Sequence, residues 1–154
     1  MRCGRLRRRN HKQMTTAKEI VDHYIGEYRE GRCDNAFHGL IDLNPELIPE
    51  LIEAYESSDD PELEVFVIKV VAEFRKETAL CFLRRALRRD EVPIWKSALD
   101  GLAMVESQES VDAMDHVLSS VTDAGKRAWI QEAISDTISA IKNKSWQIPS
   151  HQSP

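Results

Sequence analysis

The sequence predicts an all-α fold, about four two-helix repeats stacked into a right-handed α-α superhelix. Three observations predict it. Ala36, Val67, Ala98 and Trp129 recur at intervals of 31 residues, each followed by a large apolar residue (Phe37, Ile68, Leu99, Ile130) and then a polar one (His38, Lys69, Asp100, Gln131). A second set of columns lies upstream in every unit: Ile20, Leu51, Phe82 and Ala113, then Val21, Ile52, Leu83 and Met114, then Tyr24, Tyr55, Ala86 and Val117. Both sets have i, i+1, i+4 spacing, which lines one face of a helix. Finally, 154 residues that are 42% hydrophobic and 31% charged, with 6 Gly and 6 Pro, suit one folded domain or a short repeat array and are too few for two enzyme domains.

The chain opens with a basic leader, residues 1–14, in which Arg2, Arg5, Arg7, Arg8, Arg9 and Lys12 are accompanied by no acid. It has no apolar h-region, Met14-Thr15-Thr16 reads as a second and more ordinary start, and the leader is expected to be disordered. A solvated tail is the plain reading of it; a basic arm for nucleic acid is the functional one. The repeat domain follows over 15–141, in units of 15–45, 46–76, 77–107 and 108–138, each with a first and a second helix. Gly31 punctuates the turn of the first unit. In the second unit Asn44-Pro45 provides an N-cap followed by proline at the first helical position, and Ser58-Asp59-Asp60-Pro61 repeats that arrangement before the second helix. Pro49 removes a backbone donor one turn inside, so a kink or a loose first turn is expected there. Pro93, after Asp90-Glu91-Val92, starts the second helix of the third unit, and Gly125 punctuates the fourth. Residues 142–154, with Pro149 and Pro154, read as a flexible tail from which Trp146 could fold back over the last unit.

A pair of short helices cannot bury its apolar stripe alone, whereas stacked pairs merge their stripes into one core. Asp60-Pro61-Glu62-Leu63-Glu64-Val65 and Pro93-Ile94-Trp95-Lys96-Ser97-Ala98-Leu99-Asp100-Gly101-Leu102 resemble the turn and second-helix start of the HEAT-like and armadillo-type helical repeat family. The likeness covers about 15–141; Gly125-Lys126-Arg127 departs from it by lacking the Asp-Pro pair. It implies that the second helices line a concave face. Periodicity then turns Asn35, His38, Gly39 and Asp42, Phe66, Lys69, Val70 and Glu73, Ser97, Asp100, Gly101 and Met104, and Ala128, Gln131, Glu132 and Ser135 away from the core columns. Phe66 and Met104 are two apolar members of this groove and would anchor a protein partner. The competing reading is that Phe66 packs between neighbouring helices.

Charge is distributed unevenly. The net charge is -5 overall but -11 over residues 14–154. Between Arg32 and Lys69 there is no Lys or Arg, while Asp34, Asp42, Glu46, Glu50, Glu53, Glu56, Asp59, Asp60, Glu62 and Glu64 are all acidic. Such a stretch would steer a basic partner, although an ordinary solvated face has the same composition. Arg84, Arg85, Arg88 and Arg89 form an opposite, basic stripe, read as solvated and internally paired because exposed ion pairs demand little design. The expected partner-binding residues are therefore Asp42, Glu50, Glu53, Asp59, Asp60, Phe66, Lys69, Glu73, Asp100 and Met104.

Motifs for chemistry are missing. His11, His23, His38, His116 and His151 are dispersed and none is in HExxH; His38 and Asp42, one turn apart, lack the further ligands a metal needs and read as a surface hydrogen bond. Cys3, Cys33 and Cys81 form no CxxC pair, so neither a disulfide framework nor a thiolate zinc site is indicated, and a reducing, cytoplasmic setting fits. There is no GxGxxG, P-loop or GxSxG, no cofactor is implied, and no apolar run approaches the ~20 residues that span a bilayer. The sequence thus points to a non-enzymatic protein-binding scaffold for a basic partner, similar in size and charge to bacterial immunity proteins that neutralise cationic nuclease-type toxins. Two alternatives come with the family resemblance. HEAT-like DNA glycosylases and nucleic-acid binders need a basic groove, against which the -11 counts. HEAT-like phycobilisome lyases share the fold alone.

Overall fold

Cap chemistry sets where the helices begin. The computed structural model describes residues 16–146; the basic leader and residues 147–154 lie outside the described residues. Thr16 opens α1 (Ala17–Arg29) by accepting a hydrogen bond from the Glu19 amide at 3.2 Å. Gly31, at φ +85°, turns the chain into α2 (Cys33–Ile41), a conformation that any Cβ would strain. Asn44 accepts from the Glu46 amide at 3.0 Å and starts a 3-10 turn, Pro45–Leu47, which leads into α3 (Ile48–Glu56). Pro49 is consequently in the first turn of α3, and the irregularity expected at this proline takes the form of the 3-10 turn ahead of it. Asp60 accepts from the Glu62 amide at 3.0 Å with Pro61 at the head of α4 (Pro61–Glu73).

A second 3-10 turn, Glu77–Ala79, precedes α5 (Leu80–Leu87), and Pro93 sits in the first turn of α6 (Val92–Val105). Ser107 and Ser110 form a reciprocal capping box at α7 (Gln108–Leu118), and Asp123 caps α8 (Ala124–Trp146) by accepting from the Lys126 amide at 2.7 Å. The described residues contain eight α-helices and no strand, alternating as first and second helices inside the four expected units. The exception is the end of α8, which runs into the segment expected as tail and closes on Trp146, 86% exposed rather than folded back. Gly125 likewise lies within the first turn of α8 and not in the turn before it, because Asp123 provides the cap upstream.

The chain divides between Ser58 and Asp59 into two compact units, so the break falls inside the second sequence repeat. In the first, α1 packs on α2 and on α3 with its 3-10 turn, around Val21, Ile25, Ala36, Leu40, Leu47, Ile48 and Leu51. Gly39 faces α1 and not a groove: a Cβ there would fall 2.2 Å from the Tyr24 ring. In the second, α6 is the hub and packs on α4, α5, α7 and α8, while α5 also packs on α7. Second helices therefore neighbour second helices and first helices neighbour first. Ile94, Ala98 and Leu102 on α6 are buried together with Val67, Val70 and Val71 of α4 and Leu83 and Leu87 of α5. Each such Val, Leu or Ile side chain contributes roughly 1.5–3 kcal/mol, which makes this apolar hub the main stabilising term of the unit.

The column of Ala36, Val67 and Ala98 is buried throughout, but its fourth member is not: Trp129 is 49% exposed. The buried stripe of α8 runs through Ile130 and Thr137, and Trp129 flanks it.

Candidate functional site

Residues expected to bind a partner fall into separate groups in the two units. In the first unit, Glu53 is exposed and Glu50 half-buried on α3, whose opposite side buries Ile48 and Leu51. Glu46 precedes them in the 3-10 turn and is exposed. No ion pair within the described residues neutralises Glu46, Glu50 or Glu53, so their charge is offered to solvent. Asp42 is the exposed C-cap residue of α2. Its carboxylate makes no hydrogen bond with His38, contrary to expectation; the bond between the two residues runs from the Asp42 amide to the His38 carbonyl at 3.2 Å, and the His38 ring instead lies edge-on to Phe37. Burial, and then the negative charges of Glu27 and Asp42, push the Tyr24 phenol above its ordinary value of 10.0.

In the second unit Asp59 and Asp60 are exposed at the entry to α4, where Asp60 already has a structural duty as N-cap. Lys69 and Glu73 are exposed one turn apart on α4, Asp100 is exposed on α6, and Met104, one turn further on, is half-buried. Because α4 and α6 pack side by side, these four belong to one pair of neighbouring helices. Phe66 must be removed from the set. It is 8% exposed, and α4 is buried around most of its circumference, Glu64 and Val70 included, so the groove has no Phe anchor. Gly101 is also inside, with the site of a Cβ 2.9 Å from Ala72 Cβ.

The basic stripe resolves into distinct environments. The Arg89 guanidinium holds Glu91 at 2.6 and 3.0 Å and reaches the buried Glu64 at 3.4 Å. This pairing, chiefly the hydrogen bond from Arg89, holds the Glu91 carboxyl well below the usual range, at about 2. Arg85 and Arg88 are exposed and Arg84 is half-buried.

An exposed apolar patch that the repeat pattern did not reveal lies at the starts of α6 and α8. Trp129 meets Trp95 edge-on with ring centroids 6.4 Å apart, Lys96 Nζ lies 4.3 Å above the Trp129 ring, and Val92 is 50% exposed at the head of α6. Lys126, only 9% exposed, lies over Trp95 at 5.4 Å and donates to the Arg89 carbonyl at 2.9 Å. The signal was present in the spacing: a stripe anchored on Ile130, Ala133, Ile134 and Thr137 leaves Trp129 at its margin.

Among the described residues no group of three His, Cys, Asp or Glu is arranged to hold a metal ion, and no helix is long and apolar enough to cross a membrane. Comparison of the chain with protein-family models, with curated proteins and with solved structures finds no match.

Proposed function

We propose that this protein is a non-enzymatic binding scaffold that captures a basic protein partner, in the manner of an immunity protein that neutralises a cationic toxin. The observation that carries the reading is the row Glu46, Glu50 and Glu53: carboxylates spaced i, i+4 and i+7 along the 3-10 turn and α3, none of them paired with an internal cation, in a stretch from Cys33 to Ile68 that lacks any Lys or Arg. Unneutralised charge of one sign raises the encounter rate with a partner of the other and contributes specificity more than raw affinity. With Phe66 buried, the apolar side chains that the second unit offers as an anchor are Trp129 and the half-buried Met104. The right-handed HEAT-like superhelix and a cytoplasmic setting belong to the same proposal. Side-by-side packing of α4 with α6 and of α6 with α8, and of α5 with α7, supports the stacked-repeat reading within the second unit.

The test is affinity capture from the source lysate with wild type and with a variant carrying Glu46→Lys, Glu50→Lys and Glu53→Lys. Asp60 is left intact because its loss would damage the α4 cap. Wild type should retain a basic protein at ~50 mM salt and release it at ~500 mM, where screening shortens to a few Å, and the reversed variant should not retain it at either. A partner held equally by both proteins, or nanomolar binding of a labelled DNA duplex at physiological salt, would overturn the proposal.

A further inference from the structure

Helices α5 and α7 face each other across an open cleft of about 330 Å³ within the second unit. One wall is α5, with Leu80, Cys81 and Arg84; the other is α7, with Glu109, Asp112 and His116. The spacing explains the walls, since 80, 81 and 84 share one face of a helix and 109, 112 and 116 share one face of another. Arg84 is half-buried, its Nε atom is buried with no hydrogen-bond partner, and no ion pair joins it to Glu109 or Asp112. Asp112 accepts one bond, from Gln108 Nε2 at 3.0 Å, which leaves its second oxygen open, and Glu109 makes no side-chain bond. A guanidinium on one side and two carboxylates on the other, in the same cleft and not in contact, form a dipolar site.

We infer that this cleft binds a small zwitterion, a molecule carrying both a carboxylate and an ammonium group, of which an α-amino acid is the simplest. The Arg84 guanidinium, held at its buried Nε end, takes the carboxylate through its terminal amino groups, and the Glu109 and Asp112 wall takes the ammonium. A simple anion is disfavoured because the two carboxylates repel it, and a simple cation because Arg84 does. The Leu80 and Ala113 side chains give the floor room for a short apolar side chain. This site is on other helices than the acidic row of α3 and does not depend on the scaffold reading.

The test uses the full chain and amide NMR. Alanine should shift the amides of α5 and α7 in a saturable way, while acetate and methylammonium at equal concentration should not. Arg84→Met and Glu109→Gln should each weaken alanine binding at least about tenfold, the loss expected for one charge-assisted hydrogen bond. Glu109 is exposed, so its variant reads out even if Arg84→Met fails to fold. Acetate binding as well as alanine, unchanged affinity in Glu109→Gln, saturable binding only of peptides, or no shift at tens of millimolar alanine would each overturn the assignment.

Discussion

Lys126 places an ammonium where lysine seldom sits, under cover at the start of α8 and over the face of Trp95. Desolvation lowers its pKa from 10.5, outweighing the opposing pull of Asp90 and Asp123. The folded lysine therefore gives up its proton at a lower pH than the unfolded one. Between that lowered value and 10.5 the unfolded chain binds more protons, and stability contributed by this group rises with pH. Urea melts of wild type and Lys126→Met should show wild type gaining on the variant as pH climbs from neutrality to 10.5. Parallel profiles would mean that the amine is hydrated in the folded protein. The same residue shows what a column pattern leaves unread. Lys126 and Phe66 are polar and apolar in the usual places of a surface and a groove, yet both are buried, because what covers them comes from residues distant in sequence.

Helix starts were the most legible feature, since Asn44 and Asp60 cap through their own side chains and carry their instruction locally. Which side of a helix is covered was less so. The sequence turns Gly39, Val70 and Gly101 away from the core, but α4 has neighbours around most of its girth, and a single apolar stripe undercounts them. Glycine substitutions measure this coverage directly. Replacing Gly101 by Ala gains about 1 kcal/mol of helix propensity, but the new methyl would lie 2.9 Å from Ala72 Cβ and 3.2 Å from Leu83 Cδ2. Ala72 Cβ is fixed to the backbone and cannot rotate aside, so overpacking, about 1–3 kcal/mol, should prevail and lower the melting temperature. Gly26→Ala in α1 meets nothing within 4 Å, so there the propensity gain of about 1 kcal/mol should survive. If both variants raise the melting temperature, the α4–α6 crossing is looser than these distances state.

At the scale of the molecule, the all-α class could be read in advance, while the break between Ser58 and Asp59 could not. A 31-residue period describes likeness between segments and is silent on which of them cohere. The hub helix α6 draws its main partners from residues 59–146, so a fragment beginning at Asp59 should fold without the first 58 residues. Circular dichroism should show it helical with a cooperative melt; a broad, shallow melt would mean that α4 needs the first unit to hold its place. The aromatic residues make this division open to optical measurement. Tyr24, Tyr28 and Tyr55 all precede the break, and Trp95, Trp129 and Trp146 all follow it. Indole emission thus reports on one half of the chain and phenol absorbance largely on the other, so a single unlabelled sample can reveal whether the halves let go together or in turn.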